Sequence, residues 1–344
     1  MAVQEPTDAL IIDSIEACFE RGWTDGLPVV PPTPTGLERM LHGTARDPQE
    51  VVGILPPKRG VVTVEKVALN ALMAGCKPEY MPVVLAAAEA LCDPLFNIYA
   101  AVMGTQGWAP LLVVNGPIRQ EIDINCRGNV LGPGWRANAT IGRAVRLLIR
   151  NVGGALPGEL DRATLGHPGK YTYCIGEDEE HSPWEPLHVE RGFPRDTSVV
   201  TVFSCRAPTQ FGVPKGSAEM VLNLLVDGVR SLIHFVSHGE DMTLIFDEQQ
   251  RGELVAAGYS KADVRRYVYE NTSRTAGEIR RAGFEKFLED VADVKDDEQV
   301  HLFHSVQAIN IIAAGAGSRY SAFVPTYLSK PGDREPISRL VRHE

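Results

Sequence analysis

Membrane spans, metal-ribbon cysteines and a surplus of basic charge are all missing from these 344 residues, and each absence removes a class of protein. No apolar run approaches the roughly 20 residues that cross a bilayer as a helix, so no membrane insertion is expected. The six cysteines, Cys18, Cys76, Cys92, Cys126, Cys174 and Cys205, form no Cys-x-x-Cys pair. That spacing rules out a zinc ribbon and argues against a disulfide framework. Basic residues number 34 against 44 acidic, a formal charge of −10. Nucleic-acid binding needs clustered cations, so no nucleic-acid partner is expected. The opening residues carry acid where an export signal carries a basic stretch, which points to a cytoplasmic protein with reduced thiols. Short repeats and low-complexity tracts are lacking too.

What is present is ordinary globular composition, 44% hydrophobic and 23% charged. At this length one core tends to split, so two lobes are expected, at 1–195 and 196–344. Apolar spacing predicts helices at 8–21, 35–41, 63–74, 83–92, 141–151, 217–234, 249–257 and 261–270, the last capped by Ser260. Short apolar runs bounded by Gly and Pro predict strands at 51–55, 98–103, 111–115, 171–175, 198–204, 243–246 and 306–314. Prolines make 25–34 a rigid, non-helical connector. The alternation implies an α/β fold with mixed or mainly parallel sheets flanked by helices.

Two glycine-rich loops stand out. Residues 128–134 contain Gly132 and Gly134 and lead through Arg136, Asn138 and Thr140 into a helix whose Arg143, Arg146 and Arg150 share one face. Backbone N–H groups at such a loop favour phosphate or carboxylate, and Arg136 or Arg143 would clamp it. No Gly-Lys-Ser/Thr follows, so this is not a nucleotide-hydrolysing loop. The second loop, Gly315, Gly317, Ser318 and Ser321, follows a predicted strand and could form an anion nest. It does not continue as a dinucleotide fingerprint, because Tyr320 fills the third small position.

Proton-transfer candidates lie elsewhere. His167 sits in a rigid Gly-His-Pro-Gly turn beside Lys170. The stretch 177–188 supplies acids with His181, Glu185 and His188 as acid/base groups or metal ligands, although Pro183 and Pro186 exclude a helical metal face. The pairs His234/His238 and His301/His304 are further ligand spacings, more often structural. Cys126 adjoins Arg127, and a neighbouring cation would lower its pKa toward a reactive thiolate.

Residues 25–33 (Asp-Gly-Leu-Pro-Val-Val-Pro-Pro-Thr), 136–144 (Arg-Ala-Asn-Ala-Thr-Ile-Gly-Arg-Ala), 166–171 and 182–191 resemble the large bacterial proteins associated with the UGSC (seleno)protein family. The resemblance implies redox or nucleophilic chemistry at a Cys/Sec-Gly-Ser-Cys motif. This chain has no Cys-Gly-Ser-Cys, so the resemblance implies either a small partner subunit carrying it or a branch that works without it.

The sequence therefore leads to an enzyme, or an enzyme's large subunit, acting on a small anionic metabolite by lyase, hydratase or thiol/selenol-assisted reductase chemistry. His167, His188, Glu185 and Cys126 are its candidate catalytic groups. Gly132, Gly134, Arg136, Asn138, Thr140, Arg143, Lys170, Gly315, Gly317, Ser318 and Ser321 are its candidate substrate contacts. A non-catalytic scaffold for a Cys-Gly-Ser-Cys partner and a metal-dependent hydrolase using His181, Glu185 and His188 stand as alternatives. A homo- or hetero-oligomer is expected, and no cofactor is specified.

Overall fold

The computed structural model describes residues 5–212, 216–231, 240–288, 294–327 and 336–342. In chain order the helices are α1 Glu5–Glu20, α2 Pro34–Leu41, α3 Val64–Ala74, α4 Met81–Cys92, α5 Ile98–Met103, α6 Ile118–Glu121, α7 Arg136–Asn151, α8 Leu187–Glu190, α9 Ala218–Ser231, α10 Glu248–Ala256, α11 Lys261–Asn271 and α12 Ala276–Arg281. The strands are β1 Val51–Leu55, β2 Gly60–Thr63, β3 Ala109–Asn115, β4 Cys174–Gly176, β5 Val199–Cys205, β6 Thr209–Gly212, β7 Glu240–Phe246, β8 Ser273–Thr275, β9 Gln299–His301, β10 Ile309–Ala313, β11 Tyr320–Tyr327 and β12 Ile337–Leu340.

The fold is mixed α/β, built on an eight-stranded mixed sheet in the order β10-β7-β11-β5-β3-β4, with β6 added to β11 and β12 to β5. Only β10/β7 and β3/β4 pair in parallel; the rest of the sheet is antiparallel. Its strands read as continuous apolar runs because both faces are covered. Every residue of β5 is buried, and helices α4 and α7 lie over β3 and β5 while α11 lies against β10. Helix α4 is apolar but for Glu89, which pairs with Arg46, and is alanine-rich, which lets it lie close to β1, β5 and β12 at once.

The sheet coils until its outermost strands meet. Asp178 N–H, just past β4, donates to Ala313 O at the end of β10, 2.7 Å. Residues from β3, β4, β5, β7, β10 and β11 then share an inner apolar cluster that includes Leu111, Ile175, Phe203 and Ile312. The division expected at 195 falls between α8 and β5, and β5 is laid directly against β3 from the other side of it. The chain's last strand, β12, also returns to β5, and Ile337 packs in the cluster formed mostly by residues 18–155.

Several local expectations are revised. Residues 98–103 form helix α5 rather than a strand; an apolar run of six does not reveal its period, and burial against α4's cluster accepts either form. Helix α7 begins at Arg136, five residues before the expected start, because Ala137, Asn138 and Ile141 already lie on its buried face. The strand expected at 171–175 is confined to Cys174–Gly176, and 306–308 is a 3-10 turn before β10. Residues 232–234 of the expected 217–234 helix, together with His234 and His238, lie outside the described residues.

Candidate functional site

The two glycine-rich loops, separated by some 180 positions of chain, face one cleft of about 460 Å³. It opens at the carboxyl ends of the parallel pair β7/β10, the end of a strand pair at which α/β sheets hold ligands. Its walls are 129–132, 314–316, Ser318, Tyr320, Pro208, Gln210, Ile245, Asp247 and Ala322. Gly315 stands at φ +97°, a left-handed value that a side chain resists, and its N–H donates to Cys126 O at 2.9 Å. That bond ties the second loop to the segment leading into the first. Gly132 is packed so closely on the Asn129 amide that a Cβ would collide with it.

Asp247 forms the floor. It follows β7 and caps α10, accepting from Gln249 N and Gln250 N at 3.2 and 3.0 Å, while its own N–H donates to Ser321 Oγ at 3.0 Å. Burial pushes its carboxyl above the usual range. The cleft lining carries this one carboxylate and no cation.

Beside the cleft lies a buried network of charges that the sequence did not announce. Asp178, fully buried, accepts from His181 Nδ1 at 2.8 Å, from Arg251 Nη2 at 3.1 Å and from Arg127 Nη1 at 3.3 Å. Arg127 spans on to Glu248 at 2.8 Å, and Glu248 N–H donates to Gly315 O at 3.0 Å. Glu177 is also buried; it accepts from Asn115 Nδ2 and Leu187 N, both 2.7 Å, with Lys261 Nζ at 3.5 Å. The stretch 177–181 is therefore an ion-paired hub where β4 meets β10. Its partners Arg119, Arg127, Arg251 and Lys261 come from distant segments, which is why sequence spacing could not show them.

Within this hub His181 is held as a proton carrier is held. A buried carboxylate fixes Nδ1 as the donor, and the ring is half exposed. With Nδ1 protonated, the lone pair of the neutral ring falls on Nε2. His181 was expected as an acid/base group or as a metal ligand with Glu185 and His188, and the three-residue grouping does not form. Glu185 is exposed, its carbonyl taking Lys261 Nζ at 2.6 Å. His188 is fully buried, with Nε2 3.3 Å from Arg195 O, and lines neither cleft. Among the described residues the grouped metal-type ligands are Cys126, Asp178 and Glu180. Their carboxylates are already met by Arg119, Arg127 and Arg251, which removes the charge that would draw a cation. His301 stacks on Tyr269 and donates to that residue's carbonyl at 3.1 Å, a structural role.

Cys126 reverses its expectation. Burial first, and then the Asp178 charge, push its thiol up to about 11, outweighing Arg119 and Arg127. A neighbouring cation in sequence does not make a thiolate when carboxylates share the pocket.

The arginine stripe is not at the glycine-loop cleft either. Arg136 Nε and Nη2 donate to Gly75 O, closing the end of α3. Arg143 forms a two-pronged pair with Asp25 at 2.7 and 2.9 Å and also binds Leu27 O and Pro28 O, pinning the proline connector. Asn138 is buried, accepting from Asn125 N and donating to Asn125 O and Cys174 O, and Thr140 Oγ1 donates to Arg136 O. Gly134 and Gly317 lie outside the lining, and Ser321 supports Asp247 from behind. Gly132, Gly315 and Ser318 remain as lining residues, joined by Asn129, Gln210, Asp247 and Tyr320. Of these, Asp247 had a readable signal: an Asp between an apolar run and a helix.

His167 and Lys170 line a second cleft, of about 850 Å³, on the arginine face of α7. His167 Nδ1 accepts from Gly169 N–H at 3.1 Å and braces the turn, while Nε2 is closed to solvent and has no hydrogen-bond partner among the described residues. Burial holds its pKa below the usual value. Compared with known proteins, the chain matches no family model and no curated sequence.

Proposed function

We propose that the chain is an enzyme that moves protons on a small metabolite, a lyase or hydratase, with its substrate in the glycine-loop cleft. The observation that carries this reading is the Asp178–His181 pair. A carboxylate shut off from solvent fixes the imidazole tautomer at 2.8 Å and leaves the ring half exposed; His181 stands outside the cleft lining, in a hub joined to Gly315 through Arg127 and Glu248. Such a pair acts as a general base because the buried acid stabilises the imidazolium that forms. Asp247, kept above its usual pKa by burial, is the acid that touches the cleft itself.

Thiol- or selenol-assisted reduction finds less support within this chain, since Cys126 stays protonated near neutral pH; that chemistry would take its sulfur or selenium from a partner subunit. Anchoring of an anionic substrate by Arg136 and Arg143 is not part of the proposal, because both guanidinium groups are committed to structural contacts.

The test is exchange. The chain is incubated with a pool of polar metabolites in D2O, and each metabolite is followed by mass spectrometry for gained deuterium or for gain or loss of water. One metabolite is expected to change with the native chain, and His181→Asn or Asp178→Asn should slow that change about 100-fold. A pool unchanged by the native chain, or a change untouched by His181→Asn in a folded variant, would overturn the proposal.

A further inference from the structure

The second cleft, on α7, is built differently from the first: its walls are charged, and the charges do not cancel. Arg146 pairs with Asp161 at 2.6 Å and Lys170 pairs with the other oxygen of the same carboxylate at 2.7 Å. Arg143 is matched by Asp25. Arg150, one turn beyond Arg146, reaches Gly22 O and Asn151 Oδ1 at 3.1 Å, and among the described residues no carboxylate lies within ion-pair distance of it. With Asp25 matched by Arg143 from outside the lining, three cations, Arg146, Arg150 and Lys170, meet one remaining carboxylate, Asp161, around an opening that Thr24, Gly26, Pro157, Gly158 and residues 165–168 also line.

We infer that this cleft is a binding site for a small dianion, a phosphate monoester or a dicarboxylate, held by Arg150 with Arg146 and Lys170. The surplus of two positive charges sets the valence of the ligand. Burial and then Arg146 lower the Arg150 pKa, with Asp25 opposing. Burial likewise lowers Lys170, with Asp161 opposing it. A dianion would relieve both effects, and a planar guanidinium suits the paired oxygens of phosphate and carboxylate alike. Arg143, by contrast, is fully matched by the Asp25 carboxylate and leaves no charge over.

The inference is independent of the Asp178–His181 reading, whose residues do not line this cleft. It is tested by calorimetric titration of the native chain at neutral pH and low ionic strength with inorganic phosphate, succinate and acetate. Phosphate or succinate should bind at least about tenfold tighter than acetate, and the one preferred identifies the source. Arg150→Gln should weaken that binding about tenfold or more, while Arg150→Lys, which keeps the charge, should retain most of it. Circular dichroism of both variants establishes that they fold. No heat with either dianion, equal affinity for acetate, or binding unchanged in folded Arg150→Gln would each overturn the inference.

Discussion

Arg251 Nη2 lies 3.1 Å from Asp178 Oδ2, and both side chains are closed to solvent. The pair joins α10 to the turn after β4, and Arg251 also donates to Phe246 O and His181 O. Breaking such a pair strands a buried charge, which costs more than the pair contributes when intact. Replacing Arg251 with Met is therefore expected to destabilise the fold by about 3–5 kcal/mol, read from urea unfolding midpoints. A loss below about 1 kcal/mol would mean that Arg127 and His181 suffice to satisfy Asp178.

Asn138 is the comparable neutral group. One amide satisfies both backbone groups of Asn125 and the carbonyl of Cys174 inside the protein. Asn138→Ala strands the Asn125 N–H and takes a donor from Asn125 O and Cys174 O, the former keeping the Gly176 N–H, and about 1–3 kcal/mol of destabilisation is expected by thermal or urea denaturation. If Asn138 bound substrate instead, the variant would keep its stability and lose ligand affinity.

Cys126 gives a chemical prediction. With its thiol pushed up to about 11, alkylation by iodoacetamide at neutral pH should be much slower than that of a free thiol, and its rate should keep climbing well into the alkaline range. Peptide mapping by mass spectrometry follows the site individually. A rate that levels off near neutrality would show the thiolate that burial and Asp178 are argued to suppress.

Asp241 sets a pH dependence. Burial pushes its carboxyl to about 8, against about 3.9 in an unfolded chain. Between those values the folded state holds a proton that the unfolded state has released, so stability falls as pH rises through the window and levels off above it. Asp241→Asn should remove that slope and raise the melting temperature at mildly alkaline pH. An identical slope in the variant would assign the dependence to other groups.

Helix phases, caps and most strands were legible because they depend on near neighbours. Ser260 caps α11 as its position suggested, through a reciprocal bond with Asp263, and Gly75 ends α3 in the left-handed conformation. The glycine-rich loops were also legible as loops. Their chemistry was not, since an arginine reads the same whether it meets substrate or a structural partner, as Arg136 meets Gly75 O and Arg143 meets Asp25. The run 98–103 was misread for a related reason: six apolar residues carry no period of their own.

By itself the sequence determined the α/β composition, the positions where the chain turns, and the residue types able to carry charge or protons. Tertiary structure decided which of them meet. The coiling of the sheet brought 177–181 against β10, set Arg127 and Arg251 on Asp178, and placed residues 129–132 opposite 314–316. Burial and electrostatics act through space and fall off with distance in three dimensions, so a pKa such as that of Cys126 follows from neighbours that no local spacing contains.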